Sequence, residues 1–114
     1  MPRREFVLSG YRGMWIFAMF DLPVKTKTQR KKSSQFRNLL LKQGFSMLQY
    51  SVYARYCPSE ESAKTLRGRL CQKLPSPGHV RLLMVTDRQF GKMDVFYGKK
   101  KTKAESPPSQ LTLF

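Results

Sequence analysis

The chain has 114 residues, with 22 Lys/Arg against seven Asp/Glu, a formal net charge of +15, one histidine and two cysteines. That length supports one domain with a modest core, and the charge excess predicts attraction to polyanions, nucleic acid first and acidic membrane second. With one histidine (His79) and cysteines fourteen apart (Cys57, Cys71), the composition excludes a zinc site of the usual Cys/His kinds.

Residues 1–12 form a short basic lead-in. They carry no signal-peptide apolar core, and no run of 18 apolar residues follows, so we expect a cytoplasmic protein with no membrane association. The cysteines read as small buried or half-buried residues of a reducing compartment.

Met14–Phe20 is seven apolar residues ending at Asp21-Leu22-Pro23, which predicts a strand buried on both faces and stopped by Pro23. Trp15, Phe17 and Met19 fall on one face, and Met14, Ile16, Ala18 and Phe20 on the other. Lys25–Lys42 carries seven Lys/Arg and no acid. Thr26 or Thr28 caps a helix that runs to about Gln43, with Gly44 just beyond its end. Phe36, Leu39 and Leu40 make its apolar stripe, flanked by Leu41.

Phe45–Tyr56 alternates with period two and reads as one long strand, ended by Pro58. Ser59 caps a second helix with Glu60 and Glu61 in its first turn, and Ala63, Leu66, Leu70 and Leu74 face inward. After the Pro75–Gly78 turn, His79–Thr86 is a third strand and Lys92–Tyr97 a short fourth. Residues 99–114 form a basic, then Ser/Pro-rich tail, expected to be disordered alone, that ends in the apolar QLTLF.

We read the whole as α+β: a ferredoxin-like β-α-β-β-α-β domain over residues 13–98, with a four-stranded antiparallel sheet and two helices on one face. Two helices cover only one face of a sheet whose strands are apolar on both. A homodimer packing sheet against sheet is the simplest cover, with Trp15, Phe17, Met19 and Tyr53 as the expected interface.

Asp21 has two readings on the residues alone. It is a turn-forming or helix-capping aspartate beside Pro23, or a metal ligand that activates water for phosphodiester hydrolysis. The recurrence of cations in both helices and the tail favours contact with a nucleic-acid backbone, duplex DNA better than single strands. The candidate contacts are Lys25, Lys27, Arg30, Lys31, Arg37, Arg55, Arg67, Arg69, Lys99 and Lys100. Trp15, Phe17, Phe20 and Tyr50 sit in strand positions that the core claims.

The strand ending FDLP, the basic helix after it, Gly44-Phe45 and the strand segment QYSVY together resemble the CRISPR-associated endoribonuclease family (Cas-two), the smaller protein of spacer acquisition, and within it the type II branch. The likeness extends over about residues 11–98. It implies a ferredoxin-like homodimer flanked by integrase subunits, with a protospacer DNA duplex across its basic surface. It also implies a divalent metal, usually magnesium, shared near the dimer axis by strand-end aspartates that map onto Asp21.

Some members of that family cut RNA or DNA, while in the acquisition complex the role is structural. The expected function is therefore a dimeric adaptor, and the alternative is a magnesium-dependent endonuclease acting on RNA or double-stranded DNA. The terminal Gln110, Leu111, Leu113 and Phe114 have three readings: by resemblance, an extra strand on the partner subunit or a dock for the integrase; a peptide like the Q-L-x-L-F segments that bind the bacterial sliding clamp; or a disordered end.

Overall fold

The computed structural model describes residues 13–108. The elements in order are β1 (Met14–Asp21), α1 (Lys27–Lys42), β2 (Ser46–Gln49), β3 (Val52–Cys57), α2 (Glu60–Cys71), β4 (His79–Thr86), α3 (Asp87–Gly91), β5 (Val95–Tyr97) and β6 (Lys100–Thr102). The first four strands form one antiparallel sheet in the order β2-β3-β1-β4. With α1 and α2 on one face, this is the ferredoxin-like arrangement expected from the sequence.

Local chemistry fixes both helices. Thr26 caps α1: its hydroxyl accepts from the Gln29 N–H at 3.1 Å, and Gln29 Oε1 accepts in return from the Thr26 N–H at 3.1 Å. At the other end Gly44 takes φ +87°, and the Gly44 and Phe45 N–H groups return to the Leu41 and Leu40 carbonyls. Ser59 and Ser62 make the same reciprocal cap at α2.

The helix-side core joins Ile16, Ala18 and Phe20 of β1 to Phe36 and Leu40 of α1 and to Ala63, Leu66 and Leu70 of α2. β1 is the middle of this core, paired with β3 on one side and with β4 along all eight of its residues on the other. Its end is therefore a rigid mount.

Several expectations need correction. Phe45–Tyr56 is not one strand but a hairpin, β2 and β3, turning at Tyr50-Ser51, where Ser51 takes φ +63°. This division supplies the two adjacent strands between the helices. The segment expected as the fourth strand lies outside that sheet: Val95–Tyr97 pairs instead with Lys100–Thr102, so the start of the tail is a second small hairpin. Leu74 does not face inward; α2 ends at Cys71, and Leu74 is exposed.

The second face of the sheet is partly covered by the chain itself. Thr86 caps the short α3, which folds back and lays Phe90 on Trp15, ring centroids 3.9 Å apart and 8° from parallel. Met93 and Ala104 extend that cover. Toward Asp21 the face stays open, with Phe17, Met19 and Val52 half-buried and Leu83 50% exposed.

Candidate functional site

Asp21 is the last residue of β1 and is exposed. The capping role falls to Thr26, so Asp21 does not serve α1, and its carboxylate makes no ion pair with any described residue. Two neighbours hold its backbone. The Phe20 N–H donates to the Ser51 carbonyl at 3.1 Å, pinning the β2–β3 turn beside the strand end. On the other side Gly78, at φ +129°, lies so close that a Cβ there would stand 2.6 Å from Leu22 Cδ2 and 2.9 Å from the Asp21 carbonyl oxygen.

The register of β1 with β4 sets His79 directly opposite Asp21 and Arg81 opposite Met19. Directly opposed residues share a face of a sheet, so Asp21, His79 and Arg81 emerge on the same side. With Tyr50, Ser51 and Val52 they line a shallow cavity of about 340 Å³. Nothing local in the sequence marks His79 or Arg81 as partners of Asp21; the signal is the alternation of β4, which becomes informative only once the register is known.

Asp87 and Asp94 do not approach this end of the sheet. Asp87 Oδ1 accepts the Trp15 indole N–H at 2.7 Å, six residues up β1 from Asp21, or about 20 Å at strand rise. Asp94 pairs with Lys101 at 3.1 Å. Among the described residues no group of three or more His, Cys, Asp or Glu converges to hold a metal ion. Magnesium takes one or two carboxylates and fills its octahedron with waters and phosphate oxygens. Among the described residues, Asp21 is the one acidic residue that lines this cavity.

Of the expected nucleic-acid contacts, Lys25, Lys27, Arg30 and Lys31 are exposed around the start of α1, whose first turn has no acid. There the helix dipole adds positive potential to theirs. Arg30 also donates to the Val24 and Lys25 carbonyls at 3.2 and 3.0 Å. Arg67, Arg69, Lys99 and Lys100 are exposed elsewhere on the surface.

Arg37 and Arg55 are half-buried and engaged within the chain, Arg37 with Ser34 Oγ at 3.2 Å and Arg55 with the Gln43 carbonyl at 2.9 Å, where it closes the end of α1.

The expected interface residues divide. Met19 lies on the open part of the sheet face, and Phe17 at its border, its ring 5.5 Å from that of Phe90. Trp15 shares that face but is covered by Phe90 and is 5% exposed, and Tyr53 points to the opposite side, 3% exposed against Phe20 in the helix-side core. Tyr50, expected in the core, stands 75% exposed in the hairpin turn. Gln110, Leu111, Leu113 and Phe114 lie outside the described residues, as do residues 1–12.

The resolved pKa shifts lie away from Asp21. Burial, then the nearby charge of Asp87, pushes the Tyr56 phenol up, and burial pushes the Cys57 thiol up against the opposing pull of Arg55. No helix among the described residues is long and apolar enough to cross a membrane.

A family model described as CRISPR associated protein Cas2 matches residues 14–93. Similar proteins named CRISPR-associated endoribonuclease Cas2 include one from Flavobacterium psychrophilum, 46% identical over 94% of this chain and 93% of its own length. Another, from Parvibaculum lavamentivorans, is 48% identical over 89% of this chain and 100% of its own. A third, from Paracidovorax avenae, is 44% identical over 95% and 100%. With the strand-end aspartate, the basic helix and the β2-β3-β1-β4 sheet in place, the chain belongs to the Cas2 family of CRISPR-associated proteins.

Proposed function

We propose that this chain is a CRISPR adaptation protein: a homodimer that bridges integrase subunits and holds a protospacer DNA duplex by its backbone during spacer acquisition in the cytoplasm. The observation that carries this reading is the concentration of cations without acids from Lys25 to Lys42, exposed at the start of α1. Such a surface attracts phosphates without reading bases. The half-open apolar sheet face at Phe17, Met19, Val52 and Leu83 supports pairing with a second copy.

Mixing the full chain with its cognate integrase and a short duplex, and weighing the product by light scattering, tests the adaptor. A complex containing all three components is expected. Integrase and duplex that stay separate from the dimer would overturn it.

A second reading, a magnesium-dependent endonuclease on RNA or double-stranded DNA, is favoured by the exposed, unpaired carboxylate of Asp21 and by the relatives' shared name. In it, the Asp21 carboxylate of each protomer would hold a magnesium ion, which would supply an activated water for phosphodiester hydrolysis. This chain's own residues hold the carboxylate at a fixed strand end and present cations to the substrate backbone. Asp21→Asn separates the readings: under the adaptor it leaves spacer acquisition intact, whereas under the nuclease it abolishes metal-dependent cleavage and acquisition with it.

A further inference from the structure

We propose that Arg81 and His79 form a subsite for a single phosphodiester group beside Asp21, distinct from the basic surface of α1. The inference rests on the nucleic-acid-binding reading above and assigns residues on a different strand to it. β4 projects His79 and Arg81 from successive positions of one face, directly across from Asp21 and Met19. All three polar side chains border the same shallow cavity.

Neither side chain is committed elsewhere. No ion pair joins Arg81 or His79 to Asp21, and the Arg81 guanidinium makes no hydrogen bond with any described residue. By contrast Arg30, Arg37 and Arg55 each donate to a neighbour. An arginine whose fork is left open on a rigid strand suits the two non-bridging oxygens of a phosphodiester, which it can bind through two parallel N–H bonds.

The imidazole of His79 adds a shorter donor on the Asp21 side. Tyr50, at the rim of the cavity, offers a face on which one adjoining base can stack. The lysines of α1 are long, flexible point charges; the β4 pair is fixed by eight residues of pairing with β1. The α1 surface therefore attracts a polyanion, while the β4 pair sets where one phosphate stops relative to the carboxylate.

The test uses the full chain labelled for NMR, in chelator, with the dinucleotides UpU and dUpdU as probes. Both are expected to shift the Arg81 side-chain N–H and His79 ring signals saturably. Equal affinity for the two would place recognition on the phosphate, and preference for UpU would add the 2′-hydroxyl.

Arg81→Gln is expected to weaken dinucleotide binding about tenfold, with Arg81→Lys recovering only part, because an ammonium lacks the fork. Asp21→Asn is expected to bind as well as the native chain or more tightly. Shifts confined to α1, or an Arg81→Gln protein that binds like the native one, would overturn the subsite. So would an Arg81→Gln protein that loses only its dimer on sedimentation, since the guanidinium would then serve a carboxylate of the second copy. Duplex binding with integrase, measured on the same variants, reports the adaptor reading separately.

Discussion

Trp15 and Asp87 lock one end of the β1–β4 pair, the end away from Asp21. The indole N–H of Trp15, second residue of β1, donates to Asp87 Oδ1 at 2.7 Å, and Asp87 opens the helix that carries Phe90 onto the Trp15 ring. A hydrogen bond to a charged acceptor contributes about 1.5–3 kcal/mol. Asp87→Ala should lower stability by that order in denaturant unfolding. Trp15 is the single tryptophan, so its emission should shift to the red as the Phe90 lid loosens.

The open half of the sheet face makes a second prediction. Leu83 is 50% exposed, so its side chain contributes modestly to the folded protomer. Leu83→Asp should leave the circular dichroism spectrum intact and convert a sheet-to-sheet dimer to monomer on analytical ultracentrifugation. A variant that remains dimeric would show that the second copy sits elsewhere.

Salt dependence reports the phosphate contacts. With six to eight contacts, duplex affinity should fall on the order of 10³-fold across a fourfold rise in salt. Replacing Lys25, Lys27 and Lys31 by Gln should reduce the slope of log affinity against log salt by about 2–3 units, measured by fluorescence anisotropy. An unchanged slope would place the duplex away from the start of α1.

Alkaline pH should report the burial of Tyr56. Its phenol is raised above the ordinary value of 10.0, by burial first and by Asp87 second. The folded state therefore holds that proton more tightly than the unfolded chain. Stability from this group is complete below pH 10 and is lost as pH rises through the folded value. Tyr56→Phe should flatten the fall in melting temperature between about pH 9 and 11, against the native chain in the same buffers.

The elements bounded by caps were legible in the sequence. Thr26, Gly44 and Ser59 sit where side-chain and backbone chemistry put helix ends, and the apolar run of β1 announced its own burial. The turn at Tyr50-Ser51 was not legible, because no Gly, Asn or Pro marks it and the period-two pattern runs straight through. There the left-handed conformation falls on Ser51, imposed by pairing of β2 with β3 rather than by local preference. The candidate site was half legible. Asp21 stood out by its place after an apolar strand, but His79 and Arg81 reach it only through the β1–β4 register, 58 and 60 residues along the chain.

Gly78 gives that register an inherited cost. Even a methyl group at this position would press on Leu22 and on the Asp21 carbonyl, in a backbone conformation that other residues rarely adopt. Drift in the Pro75–Gly78 turn is thus coupled to a carboxylate 57 residues earlier. In a saturation library scored for any function of Asp21, position 78 should prove nearly as intolerant as position 21, although Gly78 itself carries no chemistry.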